Sequence, residues 1–236
     1  MSYLTDIMEK RKNIQYFKDE APDKNIIDDI LKKAHDLTPH KNNHWFYRIR
    51  IFGPEHKEEK KLLGMASATG KGKDMVRSGK KSDIDKLSKI YDEWCNNMRR
   101  KELKVEGCNF NIQVTAPYLL VYTHQPNYMT NTQKESSYVK ERHDIVFKSN
   151  SNLKNTKDWV IQSAMHGIST AYLCAEKDLY ASFCRCYFYN HFIHTDILRP
   201  EDDIAFMLGI GYKDETKPYF PSLVKKPTYD EITEWA

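Results

Sequence analysis

The chain has 236 residues and a mass of 27.9 kDa, enough for one sizeable core but cramped for two complete domains. Charged residues make up 30% and aromatic residues 12%, a globular composition that excludes a disordered chain. The formal net charge of +4 admits an anionic ligand but argues against a nucleic-acid protein, which is usually more basic.

The first residues, Met1 to Asp6, soon meet Glu9, Lys10 and Arg11, so no apolar stretch follows a basic head and no signal peptide is expected. The longest apolar runs, around 117–122 and 204–210, are too short for a membrane span. Five cysteines without even spacing fit reduced thiols, and the expectation is a soluble, cytoplasmic protein without a membrane partner.

In chain order, residues 2–12 read as a short helix. Asp23 opens a second, with Ile26, Ile27, Ile30, Leu31, Ala34 and Leu37 at helical spacing and Pro39 closing it. Residues 46–52 alternate and end at Gly53-Pro54, which predicts a strand and a turn. A helix is expected over 57–66, a mobile loop over 70–81, and a further helix over 82–100 with Ile84, Leu87, Ile90, Tyr91, Trp94 and Met98 on one face. Residues 117–123 are continuously apolar, the pattern of a strand buried on both faces. Residues 125–155 read as loop with a short helix near 138–147, followed by a long helix capped by Asn155 or Thr156. Residues 204–211 form a last core strand, and Pro218, Pro221 and Pro227 keep the tail extended. Helices around a few strands, with no linker and no repeat, predict an α+β fold in one domain spanning 1–236.

Two basic clusters stand at opposite ends of the chain, Arg11-Lys12-Asn13-Ile14-Gln15-Tyr16-Phe17 and Leu223-Val224-Lys225-Lys226-Pro227. They could converge on one phosphate, which needs several donors to offset its lost hydration. Between them lies Asn109, seven residues before Ala116-Pro117. Together these stretches resemble the FMN-dependent nitroreductase family over nearly the whole chain. Arg11, Asn13, Gln15 and Phe17 fall on that family's Arg-x-Ser-x-[Lys/Arg]-x-Phe element, whose side chains hold the FMN phosphate. Asn13 keeps a donor where serine is usual, and Gln15 replaces a cation. Pro39, His40, Lys41 and Asn43 lie on the family's Pro-Ser-x-x-Asn-x-Gln-Pro-Trp stretch, which here lacks the Gln-Pro pair; Lys41 offers the charge that Gln15 does not.

The resemblance further implies that Asn109 faces the pyrimidine edge of the flavin, where an amide both donates and accepts. It likens Gly167-Ile168-Ser169-Thr170 to the Gly-Leu-Gly-Thr element that turns the core helix toward the isoalloxazine, placing Leu173 and Cys174 near flavin N5. Lys225 and Lys226 take the place of the basic, phosphate-binding tail. The family's frequent Glu-Gly pair is absent.

What the resemblance implies is a nitroreductase-like fold with a mixed or antiparallel central sheet, and a homodimer with flavin sites at the interface and an exchanged C-terminal tail. The implied activity is FMN-dependent reduction of small nitroaromatic, quinone or enone acceptors, with NADH or NADPH as reductant, in a ping-pong cycle. No side chain need act as nucleophile, so no catalytic residue is assigned. Tyr91, Trp94, Tyr128 and Tyr138 are candidate stacking partners for the acceptor.

Other readings stay open. A flavin-binding protein of this fold without turnover fits the three departures, and a basic module using Lys71, Lys73, Arg77, Lys80 and Lys81 fits the 71–81 cluster. Residues 64–72 imitate a phosphate loop but carry Gly72 where Ser or Thr must reach magnesium. Cys184, Cys186, His191 and His194 lack the spacing of a zinc site, and no metal is expected.

Overall fold

The computed structural model describes residues 3–39, 47–97, 104–124, 158–198, 203–217, 227–228 and 231–233. Its helices are α1 (Tyr3–Lys10), α2 (Lys24–Leu37), α3 (Lys57–Ala66), α4 (Lys71–Arg77), α5 (Lys81–Asn97), α6 (Asp158–Glu176) and α7 (His191–Ile197). The strands are β1 (Tyr47–Phe52), β2 (Thr69–Gly70), β3 (Cys108–Asn109), β4 (Tyr118–His124), β5 (Tyr180–Cys184) and β6 (Ile204–Gly211). Among the described residues the main sheet runs β1-β4-β6-β5 with every neighbouring pair antiparallel.

Strand β4 is buried on both faces from Tyr118 to Thr123, and the alternation of its side chains sorts the core into two halves. Tyr118, Leu120 and Tyr122 face Ile27 and Ile30 of α2 and Ala171 and Cys174 of α6. Leu119 and Val121 face the other way, toward Leu63 and Met65 of α3, Leu87, Ile90 and Trp94 of α5, and Ile193 of α7. The sheet is therefore the middle layer of three, as the α+β expectation requires.

Several boundaries follow local chemistry. Asp23 caps α2 by accepting a hydrogen bond from the Asn25 N–H at 2.7 Å, and the Thr38 N–H closes the helix on Ala34 O at 3.0 Å. Helix α6 can lie close to the sheet because it presents Gly167, where an added Cβ would stand 2.8 Å from Phe206 Cζ.

The stretch 70–81 is not a loop. It holds β2, α4 and the start of α5. Gly70 makes this possible with φ +61°, and a Cβ there would stand 2.4 Å from Gly107 O. The backbones thus meet, and Lys71 N–H donates to Gly107 O at 3.1 Å. Tyr91 and Trp94 also differ from expectation. They are 5% and 1% exposed and pack with Phe110, at ring-centroid distances of 5.0 and 5.3 Å, so they belong to the core and cannot stack on a ligand. Tyr128, Tyr138 and the expected helix near 138–147 lie outside the described residues, as do Asn155, Thr156 and most of the tail.

Candidate functional site

The segment after α1 is laid onto the sheet by backbone pairing. Lys18 N–H donates to Tyr212 O at 2.9 Å, Asp214 N–H donates to Tyr16 O at 3.1 Å, and Phe17 bridges Lys213. Ile14, 2% exposed, anchors it. The Asn13 carboxamide oxygen accepts from Ser182 Oγ at 2.8 Å and from the Phe183 N–H at 2.9 Å, which fixes residues 11–15 beside β5. Its NH2 donors find no acceptor among the described residues. Arg11, half-buried at the end of α1, makes no ion pair among the described residues, and Lys12 is exposed. Gln15 is half-buried nearby.

A second junction forms where α3 ends. Asn111 Nδ2 donates to Ser67 O at 2.7 Å, and the Phe188 N–H donates to Ala66 O at 2.8 Å. Asn190 Nδ2 donates to Val76 O at 2.6 Å and locks the start of α7 onto α4. Asn109 sits beside this junction on β3, opposite Thr69, with Oδ1 accepting from the Phe110 N–H at 2.9 Å. Its amide oxygen is thus engaged locally, while its NH2 group has no acceptor among the described residues.

The two junctions are joined by one stretch of chain. It leaves β5 at Phe183, beside Asn13, and reaches Phe188, beside Ala66. Fully extended, these residues span at most about 17 Å. Cys184, Arg185, Cys186 and Tyr187 occupy that span. Cys184 is buried, and burial pushes its thiol up to about 12; its Sγ lies 3.8 Å from Cys186 O. Burial also raises the Tyr187 phenol, whose Oη lies 2.9 Å from His194 Nδ1.

The other expected residues fare differently. Pro39 is exposed just beyond the α2 cap. His40, Lys41, Asn43, Lys225 and Lys226 lie outside the described residues. Gly167-Ile168-Ser169-Thr170 falls in the middle of α6 and turns nothing. The helix continues to Glu176 and reverses at Asp178, which adopts φ 55° while Leu179 N–H donates to Cys174 O at 2.8 Å. Leu173 packs half-buried against the core, and Cys174 is fully buried, its thiol pushed up to about 12. Asn13 thus stands at one end of the 183–188 segment and Asn109 on β3 opposite Thr69, while Leu173 and Cys174 pack on α6 against the core.

Sequence reasoning missed β5 and the 184–188 segment. The available signal was the alternation of Leu179, Ala181 and Phe183 directly after the polar Glu176-Lys177-Asp178 stop.

This arrangement of helices on both faces of an antiparallel sheet is the nitroreductase-like fold. A nitroreductase-like family protein from Bacillus cereus superposes with a TM-score of 0.60 at 13% identity, covering 100% of this chain and 97% of that one. An FMN- and NADPH-dependent nitroreductase from Sphigopyxis sp. strain HMH gives 0.59 at 14% identity, covering 100% and 99%. A BluB-like flavoprotein from Clostridium difficile 630 gives 0.54 at 16% identity, covering 100% of both chains. No protein-family model and no curated protein matches the sequence. Among the described residues no helix is long and apolar enough to cross a membrane.

Proposed function

We propose that this chain binds FMN and acts as an NAD(P)H oxidoreductase toward small organic acceptors of the nitroaromatic, quinone or enone type. The observation that carries this reading is a pair of amides whose NH2 groups find no acceptor among the described residues, Asn13 bonded to β5 in the same stretch as Arg11, and Asn109 on β3. That donor set fits the group: cations and an amide suit a phosphate, and an outward amide suits the carbonyl edge of a flavin ring. The fold shared with an FMN- and NADPH-dependent nitroreductase supports it.

When bound, FMN supplies the hydride-accepting and hydride-donating chemistry. The chain's own residues hold and shield it. Arg11 and Lys12, with Lys41, Lys225 and Lys226 from the sequence resemblance, offset the phosphate charge. Asn109 would orient the ring, and Gln15, Pro39, His40 and Asn43 are the further residues that the sequence resemblance assigns to holding it. The physical basis is preorganisation: Asn13 is already held by two bonds to β5 and needs no rearrangement to offer its donors. Two copies associate as a homodimer that completes each site, with the tail around Trp235 embracing the partner; light scattering on the purified protein tests this.

The absorbance spectrum, taken before and after adding FMN and desalting, tests the main reading. Flavin bands that persist, are released on denaturation and bleach with NAD(P)H are expected. Asn13→Ala is expected to weaken flavin retention about tenfold or more, because it frees residues 11–15 from β5 as well as removing a donor. Absence of retained flavin in the unaltered protein would overturn the assignment. Bands that persist without bleaching would favour the second reading, a flavin-binding protein without turnover, which the loss of a cation at Gln15 and the likeness to a BluB-like flavoprotein both favour.

A further inference from the structure

Three cations of the α4–α5 region are held over two aromatic rings of the segment that leads away from the candidate site. Arg77 Cζ stands 4.8 Å and Lys73 Nζ 5.2 Å from the centre of the Phe188 ring, and Lys81 Nζ stands 5.7 Å from that of Phe192. Contacts of this length are attractive and fix the direction of long side chains. Phe188 is itself tied to Ala66 O, next to the Ser67 carbonyl that holds Asn111, so the cations stand at the Asn109 end of the 183–188 segment. Lys81 pairs with Asp85 at 3.2 Å, whereas Lys73 and Arg77 form no ion pair among the described residues. The site therefore pairs two cations that form no ion pair among the described residues with a half-buried ring where the 183–188 segment meets the end of α3.

We propose that Lys73 and Arg77, backed by Phe188 and Lys81, bind the 2′-phosphate of NADPH and make the phosphorylated dinucleotide the preferred reductant. This inference rests on the flavoenzyme reading and adds the reductant choice to it. A compact dianion suits the geometry, since the guanidinium offers a two-pronged donor and the ammonium a point charge one helical turn away. NADH lacks the one group that these cations would recognise. The mild net charge of +4 and the small extent of the cluster speak for a single phosphate rather than a polynucleotide backbone.

Titration of the full chain with adenosine 2′,5′-bisphosphate and with 5′-AMP, by calorimetry at fixed salt, reads the site without any turnover. The bisphosphate is expected to bind about tenfold or more tightly than 5′-AMP, with that margin lost in Lys73→Ala/Arg77→Ala and reduced in Arg77→Lys, which keeps the charge but loses the two-pronged donor. In steady-state assays the ratio of kcat/KM for NADPH to that for NADH is expected to fall by about the same factor in the double variant. Flavin retained through desalting shows that the double variant still folds and reports separately on the reading beneath the proposal. Equal binding of the two nucleotides, or an unchanged NADPH preference in the double variant, would overturn the assignment. So would a single-stranded oligonucleotide that binds more tightly than the bisphosphate and is lost with the same substitutions, since the surface would then be a polynucleotide site.

Discussion

The two faces of the sheet are built from different materials. On the side of α3, α5 and α7 the centre of the core is apolar, with Trp94, 1% exposed, in an aromatic trio, and the buried polar groups Ser67, Asn190 and His194 stand at its edge, at the end of α3 and on or just before α7. On the side of α2 and α6 a polar chain runs through the core. Tyr122 Oη lies 2.9 Å from His166 Nδ1, Thr170 Oγ1 donates to His166 O at 2.9 Å, and the Tyr47 ring flanks His166 at 5.9 Å. The apolar face gains its stability from volume, which any well-shaped set of side chains supplies. The polar face gains specificity, because each buried group holds only in the register that provides its partner. Helix α6, which must meet the sheet at one rotation to place the Asp178 turn and β5, packs on the face with the directional bonds.

Truncation on the apolar face is expected to be the most damaging change. Trp94→Ala should cost about 3–5 kcal/mol in denaturant unfolding, since a large side chain in a closed trio leaves a cavity its neighbours cannot fill. A loss below about 1 kcal/mol would mean that this face is loosely packed and that the contrast is wrong. Tyr122→Phe keeps the ring and removes only the hydroxyl, so a cost of about 1 kcal/mol is expected. The sharper test is uniqueness: this variant should broaden the amide spectrum of α6, whereas a conservative Leu87→Met should not.

Thiols are buried on both faces, Cys174 on one and Cys108 and Cys184 on the other, and burial lifts Cys174 and Cys184 to about 12. Both are expected to resist an aromatic disulfide reagent in the native state, while the partly exposed Cys186 reacts first; mass mapping of the labelled peptides checks the order. Prompt labelling of Cys174 would show that α6 opens locally. The smallest effect concerns His124, at the end of β4, whose ring stacks on Trp159 at 4.9 Å and whose pKa burial lowers from 6.5. Between that value and the lower folded one the unfolded chain binds more protons, so stability should decline as pH falls below about 6.5. His124→Phe should flatten that slope in unfolding measurements across pH 5 to 7.

Much of the scaffold was legible because it repeats locally. The 3.6-residue spacing of Ile27, Ile30 and Ala34 marked α2, and Asp23 marked its start. The unbroken apolar run of β4 announced burial on both faces, and Ile204–Gly211 emerged with its bounds intact. Helix α4 was hidden by its Gly, Lys and Ser content, which imitates a loop when Gly70 and Gly107 are not known to meet. Asn13 and Asn109 were marked as site residues, but nothing local revealed that Asn13 grips β5 or that Asn109 bonds its oxygen to the Phe110 N–H.

By itself, the sequence determined which segments could form helices and strands, that the chain is built to fold around a buried sheet, and where its cations lie. These properties depend on composition and on spacings of two to four residues, which any stretch carries within itself. Only the tertiary structure decided that α6 runs past Gly167 to Glu176, that Tyr91 and Trp94 belong to the core, and that the 183–188 segment runs from Asn13 to the end of α3. Those outcomes depend on contacts between residues far apart in the chain, such as Asn13 with Phe183 and Phe188 with Ala66. Their free energy exists only once the sheet has brought both partners together.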